Sequence, residues 1–289
     1  MKSLKTPLRY PGGKSRACTK MDPYFPDLSK YAEFREPFLG GGSVAIHVSK
    51  KYPHLKITVN DLYEPLMNFW SNLQMFGEEL YTELKNIKVT NCNQDSARCL
   101  FAEMKDVIND KTKTDLERAV AFYVVNKCSF SGLTESSSFS AQASDSNFSM
   151  RGIEKLPGYQ EIISNWHINQ YSYEYCFRTD IHDGLFMYLD PPYDIKDNLY
   201  GKKGAMHKGF DHDKFAEDCS QSSVKQLISY NSDQLVKDRF TGLQWKAAEF
   251  DLTYTMRSVG EYMREQKERK ELLLFNYEKT LESMEVCTG

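Results

Sequence analysis

Glu36-Pro37-Phe38-Leu39-Gly40-Gly41-Gly42-Ser43-Val44 decides how this chain folds. Residues 31–38 form a short mixed run that reads as a strand feeding a turn. After the glycines, Val44, Ala45, Ile46 and Val48 suit a helix closed off by Lys50, Lys51 and Pro53. Residues 55–59 alternate and are rich in β-branched types, so they form a second strand, ending at Asn60-Asp61. Strand, helix, strand is the nucleus of a parallel sheet, which predicts an α/β fold.

Beyond this unit, apolar residues spaced by three and four predict helices over 65–84, 97–108 and 115–128. Residues 129–149 change character: serines alternate irregularly with Phe130, Phe139 and Phe148, which reads as a mobile loop rather than a packed element. Residues 168–177 look strand-like. The sheet resumes at 184–189, a buried-strand run that stops at Asp190-Pro191-Pro192-Tyr193. Further strands are predicted at 226–230 and 271–277, with helices beginning near Asp213 and Ser232.

With 289 residues, 40% hydrophobic and 27% charged, the chain suits one main domain carrying an insertion. Its longest apolar run, residues 119–125, falls far below the roughly 20 residues that span a bilayer. Lys2 and Lys5 are followed by Pro7, Arg9 and Pro11, leaving no apolar signal segment, so a cytoplasmic protein is expected. The seven cysteines are odd in number, scattered and without a C-x-x-C pair; they read as reduced thiols, not as a disulfide framework or zinc site. A net charge of −3 argues against non-specific coating of nucleic acid or membrane. Two local segments are cationic: residues 195–214 carry five lysines against three aspartates, and residues 255–270 five basic against three acidic residues.

The glycines admit two other readings. Gly40-x-Gly42-x-x-Ala45 with Asp61 further on fits a dinucleotide fingerprint, but Glu36 ahead of it would repel a pyrophosphate and suits a cationic ligand. Pro11-Gly12-Gly13-Lys14-Ser15 ends like a phosphate-binding P-loop, yet Leu8 occupies the position of its first glycine. A ligand with a ribose, a positive charge and no phosphate satisfies these constraints, and S-adenosylmethionine is such a ligand. Gly40 and Gly42 would let the backbone approach its methionine moiety, Glu36 would face its ammonium, and Asp61 would accept from the ribose hydroxyls.

Asp190-Pro191-Pro192-Tyr193 sits at a strand's C-terminal end, where open α/β sheets bind ligands. An exocyclic amine on a base is a poor nucleophile because its lone pair is delocalised into the ring. The Asp190 carboxylate and a carbonyl of Pro191-Pro192 can accept its two hydrogens and stabilise the charge that develops as it attacks a methyl group. The prolines fix the backbone beforehand. Tyr193 offers a flat face to a base flipped from its duplex. His207 and His212 beside Asp211 and Asp213 look less like a metal site than like a loop end and helix N-cap; no metal is expected.

Taken together, these motifs resemble the Dam-like class of DNA adenine-N6 methyltransferases. The resemblance rests on Leu8-Arg9-Tyr10-Pro11-Gly12-Gly13-Lys14, the stretch from Glu36 to Val44, Asn60-Asp61 and Asp190-Pro191-Pro192-Tyr193. Arg118-Ala119-Val120 through Asn126, Phe130, Gly132 and Leu133, then Ile228-Ser229-Tyr230-Asn231 and Glu271-Leu272-Leu273-Leu274-Phe275-Asn276-Tyr277, extend it along nearly the whole chain. It implies a Rossmann-like class I methyltransferase sheet with a mainly helical target-recognition insertion: residues 1–64 and 165–289 catalytic, residues 65–164 the insertion. It implies donor contacts from Tyr10, Pro11, Gly12, Gly13, Lys14, Glu36, Pro37, Phe38, Gly40, Gly42, Asp61 and Asp190, with Asp180 on the donor's adenine amino group.

The expected partner is double-stranded DNA, in a restriction-modification system or in protection of a virus genome within a bacterial or phage-infected cell. Where GATC-specific members carry an arginine shortly after the Gly-Leu pair, Thr134 and Glu135 stand here, so a specificity other than GATC is expected. The serine-rich segment would order on DNA, with Asn126, Phe130, Ser131, Asn147 and Arg151 in contact. Cytosine-N4 or RNA adenine methylation, and a DNA-binding module without catalysis, are the alternative readings.

Overall fold

The computed structural model describes residues 4–10, 12–91, 93–132, 135, 137–193, 209–251 and 270–278. Its centre is a seven-stranded sheet in the order β3-β2-β1-β4-β5-β7-β6. The strands are β1 (Glu33–Glu36), β2 (Lys56–Asn60), β3 (Trp166–Asn169), β4 (Leu185–Leu189), β5 (Lys225–Asn231), β6 (Lys246–Asp251) and β7 (Lys270–Phe275). The first five run parallel, and β7 lies antiparallel between β5 and β6. This is a Rossmann-like α/β sheet. The winding direction reverses between β1 and β4, so the crevice where such sheets bind ligands opens at the C-terminal ends of those two strands.

The central parallel strands are buried, and β4 is accordingly apolar throughout, whereas the edge strand β3 is partly exposed. β1 is equally buried but reads Glu-Phe-Arg-Glu. Its charges survive burial because they are paired: Arg35 donates to Glu33 Oε1 at 2.8 and 3.0 Å, and its other amine donates to the carbonyls of Cys176 and Thr179, each at 2.8 Å.

Helices α1 (Cys18–Met21) and α2 (Ser43–Lys51) precede β2. Between β2 and β3 the chain is helical: α3 (Glu64–Met75), α4 (Gly77–Thr90), α5 (Gln94–Val107), α6 (Asp115–Cys128), α7 (Ala141–Ser146), α8 (Met150–Ile153) and α9 (Leu156–Ile163). The predicted helix over 65–84 is two helices. They part at Phe76, and the Gly77 that follows packs where an added Cβ would come within 2.6 Å of the Gln160 side chain. Helix α6 carries a full capping box between Thr114 and Glu117 and is buried from Arg118 to Cys128. α3, α6 and α9 join α2 and the sheet in one continuous apolar core around Phe69, Trp70, Phe122 and Trp166.

Two expectations are corrected here. Residues 129–149 do not form an unpacked loop: Phe148 and Ser144 are buried, and the segment contains a 3-10 turn (Phe130–Gly132) and α7. Its serines act as helix signals, because Ser140 Oγ accepts from the Ala143 N–H and Ser149 Oγ from the Gly152 N–H. Residues 168–177 are not one strand. β3 ends at Asn169, and Tyr173–Arg178 is a helix, α10. Two further helices, α11 (His212–Gln221) and α12 (Gln234–Arg239), follow β4 and β5. Among the described residues no helix is long and apolar enough to cross a membrane.

Candidate active site

At the β1/β4 reversal lies a cavity of about 320 Å³, within the usual size for small-molecule sites. Tyr10, Gly12, Gly13 and Lys14 enter it from the N-terminal segment, and the stretch from Glu36 to Val44 forms its floor. Asp61 closes it at the end of β2, and Asp190 and Pro192 at the end of β4. The sequence-predicted donor residues therefore line one cavity apart from Pro11 and Asp180, and of the Asp190–Tyr193 motif Asp190 and Pro192 line it. Pro11 lies outside the described residues. Pro191 is buried and does not line the cavity. Asp180 is exposed at a positive φ of 47° and lines a different, smaller cleft together with Arg35, Thr58 and His167. The expected contact from Asp180 is thus not available in this structure.

Residues that the sequence did not single out take that wall instead. Ser172, Tyr173 and Glu174 at the start of α10 line the cavity together with Phe210, Asp211 and Lys214; Phe210 packs against Tyr173, and Lys214 pairs with Glu174. Tyr173 stacks on Phe38 with centroids 5.5 Å apart, and Phe210 and Phe215 pack edge-on against Phe38. Their only sequence signal is the aromatic content after β3, which also suits a core. Asp211 caps α11 by accepting from the Lys214 N–H, and His212 pairs with the Tyr230 hydroxyl. Among the described residues no cluster of three or more His, Cys, Asp or Glu is arranged to hold a metal.

The glycines are explained first by protein packing. Gly42 adopts φ 66°, and a Cβ there would sit 2.7 Å from Trp70 Cζ2. Gly40, at φ 47°, is held on one side by the Asp61 carboxylate, which accepts its N–H at 2.9 Å, and on the other by the Trp70 indole, which donates to its carbonyl at 3.2 Å. Asp61 also accepts from the Tyr63 N–H at 3.1 Å, so it fastens the turn of β2 to that of β1.

Charge in the cavity is unbalanced. Glu36, Asp61 and Asp190 are all buried or half-buried in it, with Lys14 as their buried cation. Burial, with Asp190 and Asp61 nearby, pushes the Glu36 carboxyl well above the usual range. Burial likewise raises Asp61, despite its backbone donors. Asp190 is pushed up to about 6 by burial, against the pull of Lys14 and with a further push from Glu271. Among the described residues, Glu36 Oε2 and Glu174 Oε2 are buried carboxylate oxygens without a hydrogen-bond partner, and both residues line the cavity. Such oxygens fit a cationic ligand rich in donors.

Lys14 Nζ ties the Asp190–Tyr193 segment to the N-terminal turn. It donates to Asp190 Oδ1 at 2.9 Å, to the Tyr193 hydroxyl at 2.6 Å and to the Gly12 carbonyl at 3.1 Å. Tyr193 packs nearly parallel to Tyr230, with centroids 6.2 Å apart.

The expected DNA contacts divide. Phe130 is 49% exposed on its 3-10 turn, which also holds Ser131; Arg151 is exposed on α8, and Asn147 is half-buried at the end of α7. Asn126 is corrected: it is fully buried and clamps the backbone of Arg9, accepting its N–H at 2.9 Å and donating to its carbonyl at 2.6 Å. An amide so engaged cannot reach a base edge. Of the two basic segments, only residues 209–214 and Lys270 lie within the described residues.

A model of the D12 class N6 adenine-specific DNA methyltransferase family matches residues 10–256. The chain belongs to this family. Among similar proteins, type II methyltransferase M1.LlaDCHI of Lactococcus lactis is 22% identical over 252 residues, covering 82% of this chain and 85% of its own. Type II methyltransferase M.MjaIII of Methanocaldococcus jannaschii is 25% identical over 138 residues, 45% of this chain, so the match spans about half (47%) of that relative's length. The DNA N-6-adenine-methyltransferase of Escherichia phage P1 is 27% identical over 126 residues, 44% of this chain and 15% of the phage protein. Membership in the D12 class covers the N-terminal segment, the glycine turn and Asp190-Pro191-Pro192-Tyr193 in a single match.

Proposed function

We propose that this D12-class chain transfers a methyl group from S-adenosylmethionine to N6 of an adenine flipped out of double-stranded DNA. The observation that carries the reading is Asp190, held by Lys14 in the cavity that also contains the glycine turn and the two unpartnered carboxylate oxygens.

When bound, S-adenosylmethionine supplies an electrophilic methyl group on a sulfonium. Glu36, Gly40, Gly42 and Asp61 would hold its charged and ribose parts, and Phe38, Tyr173 and Glu174 the aromatic end. Asp190, with a pKa pushed up to about 6, is mostly ionised at neutral pH. It accepts one amine hydrogen and stabilises the positive charge as the nitrogen attacks. Its remaining affinity for protons also suits it to draw off the one that the methylated amine must lose. Pro191 and Pro192 keep that acceptor in place, and Tyr193 gives the flipped base an aromatic face.

Residues 65–164 serve target recognition, with Phe130, Ser131, Asn147 and Arg151 towards DNA. Specificity differs from GATC, because Glu135 offers an acceptor where an arginine would donate to guanine. The test is long-read sequencing of DNA from cells that express the chain: modified adenine at a recurring motif is expected, and unmodified adenine contradicts the reading.

A further inference from the structure

Glu271, near the start of β7, is 2% exposed and opens a stretch that carries the family resemblance, yet the sequence assigns it no part in the site. β7 runs antiparallel beside β5, pairing Glu271 with Asn231, so its first residues lie at the C-terminal ends of the parallel strands. There Glu271 Oε1 accepts from the Tyr193 hydroxyl and from Ser229 Oγ at 2.5 Å, and lies 3.2 Å from Lys14 Nζ. Lys14 in turn reaches Asp190 Oδ1 at 2.9 Å and stands 4.9 Å from the Tyr193 ring centroid. One buried oxygen therefore gathers the lysine that holds the acceptor and the hydroxyl of the aromatic ring.

We propose that Glu271 is a positioning residue for methyl transfer, which sets the Tyr193 ring and the Lys14–Asp190 pair relative to one another before the base arrives. The proposal rests on the adenine-N6 reading above. Removing its charge loosens both links while leaving the donor pocket around Glu36 and Asp61 untouched. It also acts on Asp190 through space. Among the described residues, the charged and titratable groups around Asp190 are Lys14 from the N-terminal segment, Glu36 on β1, Tyr188 on β4 and Glu271 on β7; Tyr193 and Tyr230 lie beyond, with His212 of α11 on the Tyr230 hydroxyl. Lys14 favours ionised Asp190 and Glu271 opposes it.

The test compares the full-length wild type, Glu271→Gln and Tyr193→Phe with S-adenosylmethionine and a duplex carrying the motif that the wild type modifies. Glu271→Gln is expected to lower kcat about tenfold or more, to keep the donor Kd within about twofold, and to move the acid limb of the kcat profile down by roughly half to one pH unit. Tyr193→Phe is expected to raise KM for DNA without moving that limb. An acid limb unmoved by Glu271→Gln overturns the proposal whatever the rate does, since mere structural damage lowers activity without shifting a titration. Should Glu271→Gln fail to fold, Tyr193→Phe carries the test, and an unchanged KM for DNA overturns the link. A wild type that leaves adenine unmethylated counts against the function itself; an active wild type with these results counts against Glu271 alone.

Discussion

Lys14 and Asp190 are 176 residues apart in the chain and 2.9 Å apart in space, Nζ to Oδ1, and the lysine is only 3% exposed. Neither could stay charged in that interior alone. Lys14→Met should therefore leave Asp190 buried without its cation, raising its pKa beyond about 6. The acid limb of the pH–rate profile should move to higher pH, with methyl transfer at neutral pH falling on the order of a hundredfold. Single-turnover rates across pH 5–9 check both.

Burial, with Asp190 and Asp61 nearby, pushes the Glu36 carboxyl upward and so favours its protonated form. A cationic donor beside it favours the ionised form, so binding of S-adenosylmethionine should release protons, and affinity should rise with pH until the free carboxyl itself ionises. Calorimetry in buffers of different ionisation enthalpy measures this directly. Proton uptake, or affinity falling as pH rises, is the opposite result.

Gly42→Ala meets two penalties, a left-handed backbone and the Trp70 ring 2.7 Å from the added Cβ. The cost should be about 1–3 kcal/mol of stability, visible as a lower Tm, together with weaker donor binding because the turn shifts. Asp61 should not compensate, since it holds Gly40 and not Gly42.

Asn126→Ala should behave as a structural lesion. It removes the partner of the part-buried Arg9 N–H and carbonyl, at about 0.5–1.5 kcal/mol for each hydrogen bond lost. Tm should fall while the salt dependence of DNA binding in the folded fraction stays as in the wild type, because no phosphate contact is lost.

The parallel half of the fold is legible because its signals are local: a glycine turn and helix leading into the β-branched β2, and an apolar β4 that stops at Asp190-Pro191-Pro192. β6 escapes sequence reading because Lys246, Ala247, Ala248 and Glu249 form an edge strand whose pairing comes from β7 and not from an apolar pattern of its own. The serine-rich segment misleads because composition does not distinguish a disordered serine from one that caps a helix, as Ser140 and Ser149 do. Within the candidate site, Lys14, Glu36, Asp61 and Asp190 announce themselves by motif. Glu271 opens a matching stretch but gives no sign of a site role, because its place beside Lys14 follows from the antiparallel register of β7, and Asp180 misleads because the chain after α10 places it in a different cleft.

The most direct measurement is nucleoside mass spectrometry of duplex DNA incubated with S-adenosylmethionine and either the wild type or Asp190→Ala. The geometry around Lys14 and Asp190 predicts N6-methyladenine from the wild type and none from the variant, with both proteins folded and binding the donor. N4-methylcytosine in place of N6-methyladenine, or equal methylation by Asp190→Ala, would contradict the account.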